Sequence, residues 1–168
     1  MDRTILLVED DTNDVFFLRR AIQRAGIPNP VQSVEDGRQA IHYLEGTGDY
    51  SNRAKYPLPC LVLLDLKLPY VMGLDVLKWI RTRPELRGII VLILSASNLA
   101  QDIRKAYFLG ANSYLVKPTD PDELMSLVRV IKNYWLDLNQ SVPPLVHCDM
   151  PLRTSNTDVS QVRVIALG

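Results

Sequence analysis

The sequence has little of several features that would place it in a specialised class of proteins. Its 168 residues include only two cysteines, Cys60 and Cys148, which match neither a CxxC pair nor a zinc-ligand spacing. The low cysteine content fits a reducing cytoplasm. Nineteen basic and nineteen acidic residues leave a net charge of zero, whereas nucleic-acid-binding domains usually carry a basic excess. We therefore expect no nucleic-acid partner.

Long hydrophobic runs are also missing. No stretch approaches the roughly 20 apolar residues of a membrane-spanning helix, and the start of the chain lacks the pattern of a signal peptide. We therefore expect a cytoplasmic protein without a membrane segment. What the sequence does have is a composition of 47% hydrophobic and 23% charged residues, which is typical of one globular domain with a real core.

Short apolar runs alternate with helical patterns along residues 1–138. Such alternation predicts an α/β fold, a doubly wound sheet of five parallel strands with five helices. The predicted strands are Ile5–Val8, Val31–Val34, Cys60–Leu64, Ile89–Leu94 and Ser113–Val116. The predicted helices begin near Thr12, Asp36, Leu74, Ala100 and Pro121.

Residues 139–168 differ from the rest of the chain. Pro143 and Pro144 interrupt regular structure, and a polar segment follows them. About 30 residues are too few for a separate domain, and no helix-turn-helix pattern is present. We expect one domain, residues 1–138, and a C-terminal tail, residues 139–168, without an output domain.

Acidic residues follow two of the predicted strands. Glu9, Asp10 and Asp11 come directly after the first strand, and Asp65 comes directly after the third. Parallel α/β sheets place ligands at the carboxyl ends of their strands, so these side chains are expected to meet. Carboxylates repel one another unless a cation lies among them, and Mg²⁺ prefers such oxygen ligands. Asp11 is better interpreted as a cap of the first helix.

The fourth and fifth strands end in a hydroxyl and an amine, Ser95 and Lys117. The same edge of the sheet would therefore hold carboxylates, a metal site, a hydroxyl and an ammonium group. This set suits phosphoryl transfer to a carboxylate, because that reaction needs positioning and charge neutralisation more than covalent chemistry.

The order and spacing of these residues resemble the receiver domain of two-component response regulators. Pro69 and Gly73 lie four and eight residues after Asp65, while Ser95 and Lys117 lie thirty and fifty-two residues after it. The resemblance covers about residues 1–138. It implies a flavodoxin-like receiver fold and a switch that is driven by phosphorylation.

The resemblance also implies a role for each residue at the edge. Asp65 would accept a phosphoryl group from a histidine kinase, a phosphotransfer protein or a small phosphodonor, and Lys117 would pair with the phosphoryl oxygens. Ser95 and the backbone amide of Ala96 would donate hydrogen bonds to that group. The Mg²⁺ ligands would be Asp10 and Asp65, Glu9 through water, and the backbone carbonyl of Lys67.

Tyr114, in the fifth strand, is expected to act with Ser95 as the switch. In receivers an aromatic residue here follows the hydroxyl and changes the surface formed by the fourth helix, fifth strand and fifth helix. A plain packing role is the alternative. The resemblance further implies a cis peptide bond between Lys117 and Pro118.

Two departures from a minimal receiver concern the loops. Lys67 places a cation two residues after Asp65, and Gly46–Pro59 forms a long loop. The long loop and the Leu66-Lys67-Leu68-Pro69 run resemble stand-alone regulators associated with phytochromes, so a phytochrome-type kinase is one expected partner.

Phe16 lies opposite the core face of the first helix, so we expect it to be exposed. It could dock the kinase or have no role.

Two alternatives remain open. A phosphatase of the haloacid dehalogenase type needs a second aspartate two residues after the nucleophile, where this chain has Lys67. The other alternative is a receiver-like docking module that accepts no phosphate.

We expect no enzyme activity beyond autophosphatase. We also expect a homodimer through the face of the fourth helix, fifth strand and fifth helix, with the tail contributing. A monomer is the other possibility for its assembly.

Overall fold

Five parallel strands form one sheet in the computed structural model, which describes residues 4–140. The strands are β1 (Ile5–Val8), β2 (Val31–Val34), β3 (Leu61–Leu64), β4 (Ile90–Ser95) and β5 (Ser113–Val116), in the spatial order β2-β1-β3-β4-β5. The helices are α1 (Thr12–Arg24), α2 (Gly37–Glu45), α3 (Gly73–Thr82), α4 (Ala100–Phe108) and α5 (Pro121–Ile131). The predicted fold class is confirmed.

Helices cover both faces of the sheet. Successive residues of a strand point to opposite faces, so each strand contributes side chains to both layers of the core. Ile5 and Leu7 of β1 pack with α1 and α5, while Leu6 and Val8 pack with α2, α3 and α4. All four of these side chains are buried. This explains the uninterrupted apolar strands, since a strand covered on both faces has no polar side.

Aspartates begin three of the helices. Asp11, Asp36 and Asp120 each accept backbone N–H hydrogen bonds from the first turn of α1, α2 and α5 respectively. Such side chains satisfy amide groups that have no partner within the helix. The interpretation of Asp11 as a helix cap is therefore confirmed.

The end of the last helix differs from expectation. Helical spacing predicts one continuous helix whose inward face is Leu124, Leu127, Val128, Ile131 and Trp135. In the structure, α5 ends at Ile131 and a π-helix, Lys132–Leu138, follows. Leu136 becomes a buried residue of this segment, while Trp135 is only partly buried. The wider π-turn changes which residues face the core.

Gly73 allows α3 to begin directly beside Asp65. A Cβ atom at position 73 would lie 1.9 Å from the carbonyl oxygen of Asp65, so no larger residue fits without backbone movement. The backbone N–H of Gly73 also donates to the carbonyl of Leu66 at 3.0 Å. The glycine eight residues after Asp65 thus fixes the loop that carries this carboxylate.

Arginine side chains organise the opposite, amino-terminal edge of the sheet. Arg81 of α3 donates to the carbonyls of Gly110 and Ile89 at 2.8 and 3.0 Å, and to Oδ1 of Asn112 at 2.8 Å. That Oδ1 also accepts the backbone N–H of Val91 at 2.8 Å. One guanidinium therefore joins α3 to the segments that enter β4 and β5.

The long loop before β3 is held in a similar way. Arg53 donates to the carbonyls of Tyr43 and Leu44 at the end of α2, at 2.7 and 2.5 Å, and to that of Tyr56 at 3.2 Å. The buried Tyr43 hydroxyl donates to the carbonyl of Pro57 at 3.0 Å. The loop is therefore packed and hydrogen-bonded.

Within residues 4–140, no helix is long and apolar enough to cross a membrane.

Candidate functional site

Three carboxylates meet at the carboxyl edge of the sheet. Glu9 follows β1 and Asp65 follows β3, and these adjacent strands are in register, with Val8 opposite Leu64. The backbone N–H of Asp65 donates to the carbonyl of Val8 at 3.0 Å. One carboxylate oxygen from each of Glu9, Asp10 and Asp65 lies within 4.8 Å of the other two. The predicted clustering of these three residues is confirmed.

The three carboxylates differ in their contact with solvent. Glu9 and Asp65 are only 3% and 8% exposed, whereas Asp10 is exposed. Burial raises the pKa of Glu9, and the nearby charge of Asp65 raises it further, while Lys117 acts in the opposite direction. The buried Glu9 carboxylate thus depends on the nearby Lys117 to stay ionised.

Lys117 supplies that positive charge within the structure. Its Nζ contacts the Glu9 carboxylate and lies 2.9 Å from Oδ2 of Asp14 and 3.5 Å from Oδ2 of Asp65. Burial alone would lower the pKa of Lys117, but the hydrogen bonds with Glu9 and Asp14 and the acidic surroundings raise it. The side chain is therefore a protonated ammonium beside Asp65.

The two oxygens of Asp65 have different partners. Oδ1 accepts the backbone N–H of Leu66 at 2.7 Å, and Oδ2 faces the ammonium of Lys117. The first contact fixes the orientation of the carboxylate on its own loop. The second directs one oxygen toward the positive charge, where an incoming anionic group would be stabilised.

The carboxylate cluster fits a hard divalent cation. Its ligand atoms are all oxygens, and they come from two strand ends that the sheet holds together. Mg²⁺ and Mn²⁺ prefer such ligands. The Lys117 ammonium pairs with Glu9, Asp14 and Asp65, and Asp10 adds a further carboxylate beside Glu9 and Asp65, so an added cation would also relieve their repulsion.

The predicted switch residues lie in one hydrogen-bonded group. Ser95, at the end of β4, is 1% exposed, and its Oγ accepts the backbone N–H of Ser97 at 3.4 Å. The Tyr114 hydroxyl donates to the carbonyl of Ser97 at 2.9 Å, and burial raises its pKa. Ser97 Oγ in turn donates to Asp102 of α4 at 2.6 Å. Tyr114 is therefore tied to the loop after β4.

The prediction of a cis bond before Pro118 is wrong, since every peptide bond within residues 4–140 is trans. The backbone N–H of Lys117 donates to the carbonyl of Ser95 at 2.9 Å, which continues the pairing of β4 with β5. From this extended backbone the long lysine side chain already reaches Glu9 and Asp65. No reversal of the chain is needed to place the ammonium.

The remaining predicted residues surround the site. Lys67 is exposed two residues after Asp65, and its role as a carbonyl ligand stays a prediction. Phe16 is 60% exposed on α1, which confirms the expectation about its position. Ala96 is exposed and borders a cavity of about 530 Å³ between α1 and the segment that leads into α5.

Asp14 is the site residue that sequence reasoning missed. It lies in the first turn of α1, four residues after Asp10, and its carboxylate pairs with Lys117. An acidic residue in the first turn after the acidic cluster could have drawn attention to it. The partner, however, is 103 residues away in the chain.

Comparison with known proteins gives the family. The family model described as response regulator receiver domain matches residues 5–129. The chain belongs to this family. Receiver domains are phosphoacceptors that bind a divalent metal ion and interact with histidine kinases or phosphotransfer partners. The resemblance predicted from the spacing of the site residues is confirmed.

Relatives and solved structures agree with this assignment. The probable methanogenesis regulatory protein FilR2 of Methanothrix harundinacea is 41% identical over 143 residues, 83% of this chain and 88% of that protein. The phosphorylated cyanobacterial phytochrome response regulator RcpA has a TM-score of 0.79 at 34% identity, covering 85% of this chain and all of that one.

A second solved structure is the Mn²⁺-bound form of Rcp1, the response regulator from Synechocystis. Its TM-score is 0.77 at 33% identity, and the match covers 84% of this chain and 99% of that chain. RcpA and Rcp1 are single-domain receivers, so the predicted likeness to phytochrome-associated regulators is confirmed. The chain is a receiver with the phosphoacceptor role of a response regulator.

Proposed function

We propose that the protein is a Mg²⁺-dependent phosphorylation switch in which Asp65 accepts the phosphoryl group. The observation that carries this proposal is the position of Asp65. Its carboxylate is clustered with those of Glu9 and Asp10, and its Oδ2 lies 3.5 Å from the Lys117 ammonium. The donor is a histidine kinase, a phosphotransfer protein or a small phosphodonor.

The transfer step uses Oδ2 of Asp65, the oxygen that faces Lys117. A lone pair of Oδ2 forms the new O–P bond, the N–P bond of the phosphohistidine breaks, and the released imidazole nitrogen takes a proton from solvent. Oδ1 stays hydrogen-bonded to the Leu66 amide at 2.7 Å during the attack. Holding the nucleophile in one orientation is the main contribution that the protein makes to such a step.

Charge neutralisation is the second contribution. Lys117 would pair with the phosphoryl oxygens, and the Ser95 hydroxyl and Ala96 amide would donate hydrogen bonds to them. A bound Mg²⁺ supplies further positive charge for the developing phosphoryl anion. Its ligands would be Asp10 and Asp65, Glu9 through water, and the carbonyl of Lys67.

The switch begins when Ser95 bonds the phosphoryl group. The loop after β4 then shifts, and Tyr114 leaves the Ser97 carbonyl that its hydroxyl contacts at 2.9 Å. The surface of α4, β5 and α5 changes as a result, and with it the choice of partner. We infer that signalling passes through protein contacts, with residues 1–138 as the receiver domain and residues 139–168 as a tail.

A phytochrome-type histidine kinase is the partner that we propose, because RcpA and Rcp1 are similar along nearly their whole length. Phe16, 60% exposed on α1 beside the site, would contact that kinase or a phosphotransfer protein. Transfer from a kinase takes place in the cytoplasm, so we propose that location. Neither nucleic acid nor a membrane is part of the proposed mechanism.

We also propose a homodimer through the face of α4, β5 and α5. Large apolar side chains are exposed on these three elements and on the π-helix that follows α5, and exposed apolar patches are typical of interaction sites. They are Tyr107, Phe108, Val116, Val130, Tyr134 and Leu138. The predicted contribution of the tail falls on residues beyond 140, outside those that the structure describes. Light scattering with and without a phosphoryl mimic tests the dimer, and a monomer in both conditions contradicts it.

The central experiment is labelling with acetyl phosphate and Mg²⁺, measured by intact-protein mass spectrometry. The wild type should gain one phosphoryl group, and Asp65→Asn should gain none. Asp49→Asn, a change at an exposed aspartate in the long loop, is the matched control and should label normally. Equal labelling of the wild type and Asp65→Asn would disprove the assignment of Asp65.

The same experiment separates the two alternative functions. A docking module would show no labelling of the wild type under any condition. A phosphatase would release phosphate from an added phosphomonoester with turnover, but Lys67 occupies the position of its second aspartate. We propose that activity is limited to hydrolysis of the protein's own acyl phosphate.

A further inference from the structure

Asp14 holds Lys117 on the side of the site that faces α1. Its Oδ2 lies 2.9 Å from Nζ of Lys117, within hydrogen-bond range, while Oδ2 of Asp65 lies farther from the same nitrogen, at 3.5 Å. The contact joins the first turn of α1 to the residue after β5. The ammonium is therefore bound more closely by Glu9 and Asp14 than by the proposed phosphoacceptor.

A phosphoryl group on Asp65 would change this balance. It adds strong acceptor oxygens beside Oδ2, and the ammonium has only three N–H donors to share among its partners. Two of those donors are already directed at Glu9 and Asp14. Only one donor is left for the phosphoryl oxygens, and Nζ lies 3.5 Å from Oδ2 of Asp65, so a closer approach to the phosphoryl group would draw Nζ away from Asp14.

We propose that Asp14 is a positioning residue that competes with the phosphoryl group for Lys117. This inference rests on the proposed function. Asp14 touches no reacting atom and acts only through the lysine. Its side chain is 46% exposed, so the competition is moderate and the phosphoryl group can overcome it.

The experiment compares the affinity of variants for beryllofluoride, a mimic of the phosphoryl group, with Mg²⁺ present. Asp14→Asn keeps the size of the side chain but removes its charge, so Lys117 is freed. We expect it to bind the mimic roughly three- to tenfold more tightly than the wild type, measured by calorimetry and by ¹⁹F NMR of the bound fluorides. Asp14→Glu restores the charge and should return the affinity toward the wild-type value.

A matched control removes the general effect of charge. Asp11→Asn deletes one negative charge at the same end of α1, and asparagine keeps the helix cap. Asp11 has no ion pair with Lys117 among the described residues. We therefore expect Asp11→Asn to change the affinity less than twofold, and an increase equal to that of Asp14→Asn would overturn the proposal.

A crystal structure of Asp14→Asn without the mimic is the second measurement. Nζ of Lys117 should move toward Oδ2 of Asp65, to less than the 3.5 Å of the wild type. An unchanged lysine position would overturn the proposal even if the affinity rises. If the wild type binds no beryllofluoride, the proposed function fails, and the lysine position alone decides whether Asp14 holds Lys117.

Discussion

The two edges of the sheet use charged side chains in opposite ways. At the carboxyl edge, one carboxylate oxygen from each of Glu9, Asp10 and Asp65 lies within 4.8 Å of the other two. The ammonium of Lys117 pairs with Glu9 and Asp65 and also with Asp14. At the amino edge, Arg81 and Arg53 are each surrounded by neutral oxygen atoms that accept their hydrogen bonds. Carboxylates repel one another at the first edge, whereas guanidinium groups donate to carbonyl and amide oxygens at the second.

The difference shows where stability and function lie in this domain. Repulsion among carboxylates destabilises the fold but creates a site for a cation and a phosphoryl group. Arginine donors that tie loops to strand starts stabilise the fold and have no part in the proposed chemistry. Mutations at the two edges should therefore separate stability from phosphorylation.

The largest expected effect on stability is at the amino edge. Arg81→Met keeps the apolar stem but leaves the oxygens of Gly110, Ile89 and Asn112 without this donor. We expect a loss of about 2 kcal/mol in the free energy of unfolding, measured with urea, and unchanged labelling by acetyl phosphate. Arg104→Met, at an exposed position of α4, is the control. Loss of labelling in folded Arg81→Met would break the comparison.

The next effect is at the carboxyl edge and depends on metal. Mg²⁺ binds the folded state, so at ten times its Kd it should raise the free energy of unfolding by about 1.4 kcal/mol. Asp10→Asn should lose this gain because one of the three clustered carboxylates is neutralised. Urea unfolding with and without Mg²⁺ measures both. An equal gain in Asp10→Asn would show that the metal binds elsewhere.

Tyr43 gives a smaller effect with a defined pH dependence. Tyr43→Phe removes the hydrogen bond to Pro57 and should cost about 1 kcal/mol. Burial raises the pKa of Tyr43 from 10.0 to about 12, so the folded state holds this proton more tightly than the unfolded state. The resulting stability is present below pH 10 and is lost between about pH 10 and 12.

Spectrophotometric titration of the tyrosines checks this prediction. The late alkaline step of the wild type should be smaller by one tyrosine in Tyr43→Phe. Tyr134→Phe, at a position that is 52% exposed, is the control and should keep that step. A late step of undiminished size in Tyr43→Phe would contradict the prediction and assign the step to other residues.

The smallest effect tests the repulsion itself. Without metal, Asp10→Asn should be more stable than the wild type by about 0.5 kcal/mol, because it removes one of three neighbouring negative charges. The same variant is expected to lose the gain from Mg²⁺, so the order of stability should reverse when metal is added. A loss of stability in the absence of metal would mean that the carboxylate cluster does not strain the fold.

Much of the fold could be predicted because its signals are local. Apolar runs and helical spacing placed all five strands and helices, and the bounds of β1, β2 and β5 agree with the structure to the residue. Asp36 and Asp120 begin helices as their spacing suggests. The π-helix at Lys132–Leu138 could not be predicted, since its pattern continues that of α5.

The candidate site was predictable where strand ends define it. Glu9, Asp10, Asp65, Ser95 and Lys117 lie at the carboxyl ends of strands, and parallel strands bring such residues to one edge. The cis bond before Pro118 was inferred from resemblance alone, and the structure contradicts it. The backbone bond from Lys117 to Ser95, which depends on strand pairing, holds the extended form.

The sequence by itself determined the α/β class, the acidic edge and the family, because these follow from periodicity and from the order of residues along the chain. Only the tertiary structure decided how the charges are shared among partners. Lys117 meets Glu9 and Asp14 across 108 and 103 residues of sequence. That meeting depends on the packing of α1 beside α5 on one face of the sheet, and no local pattern encodes the distance between two such side chains.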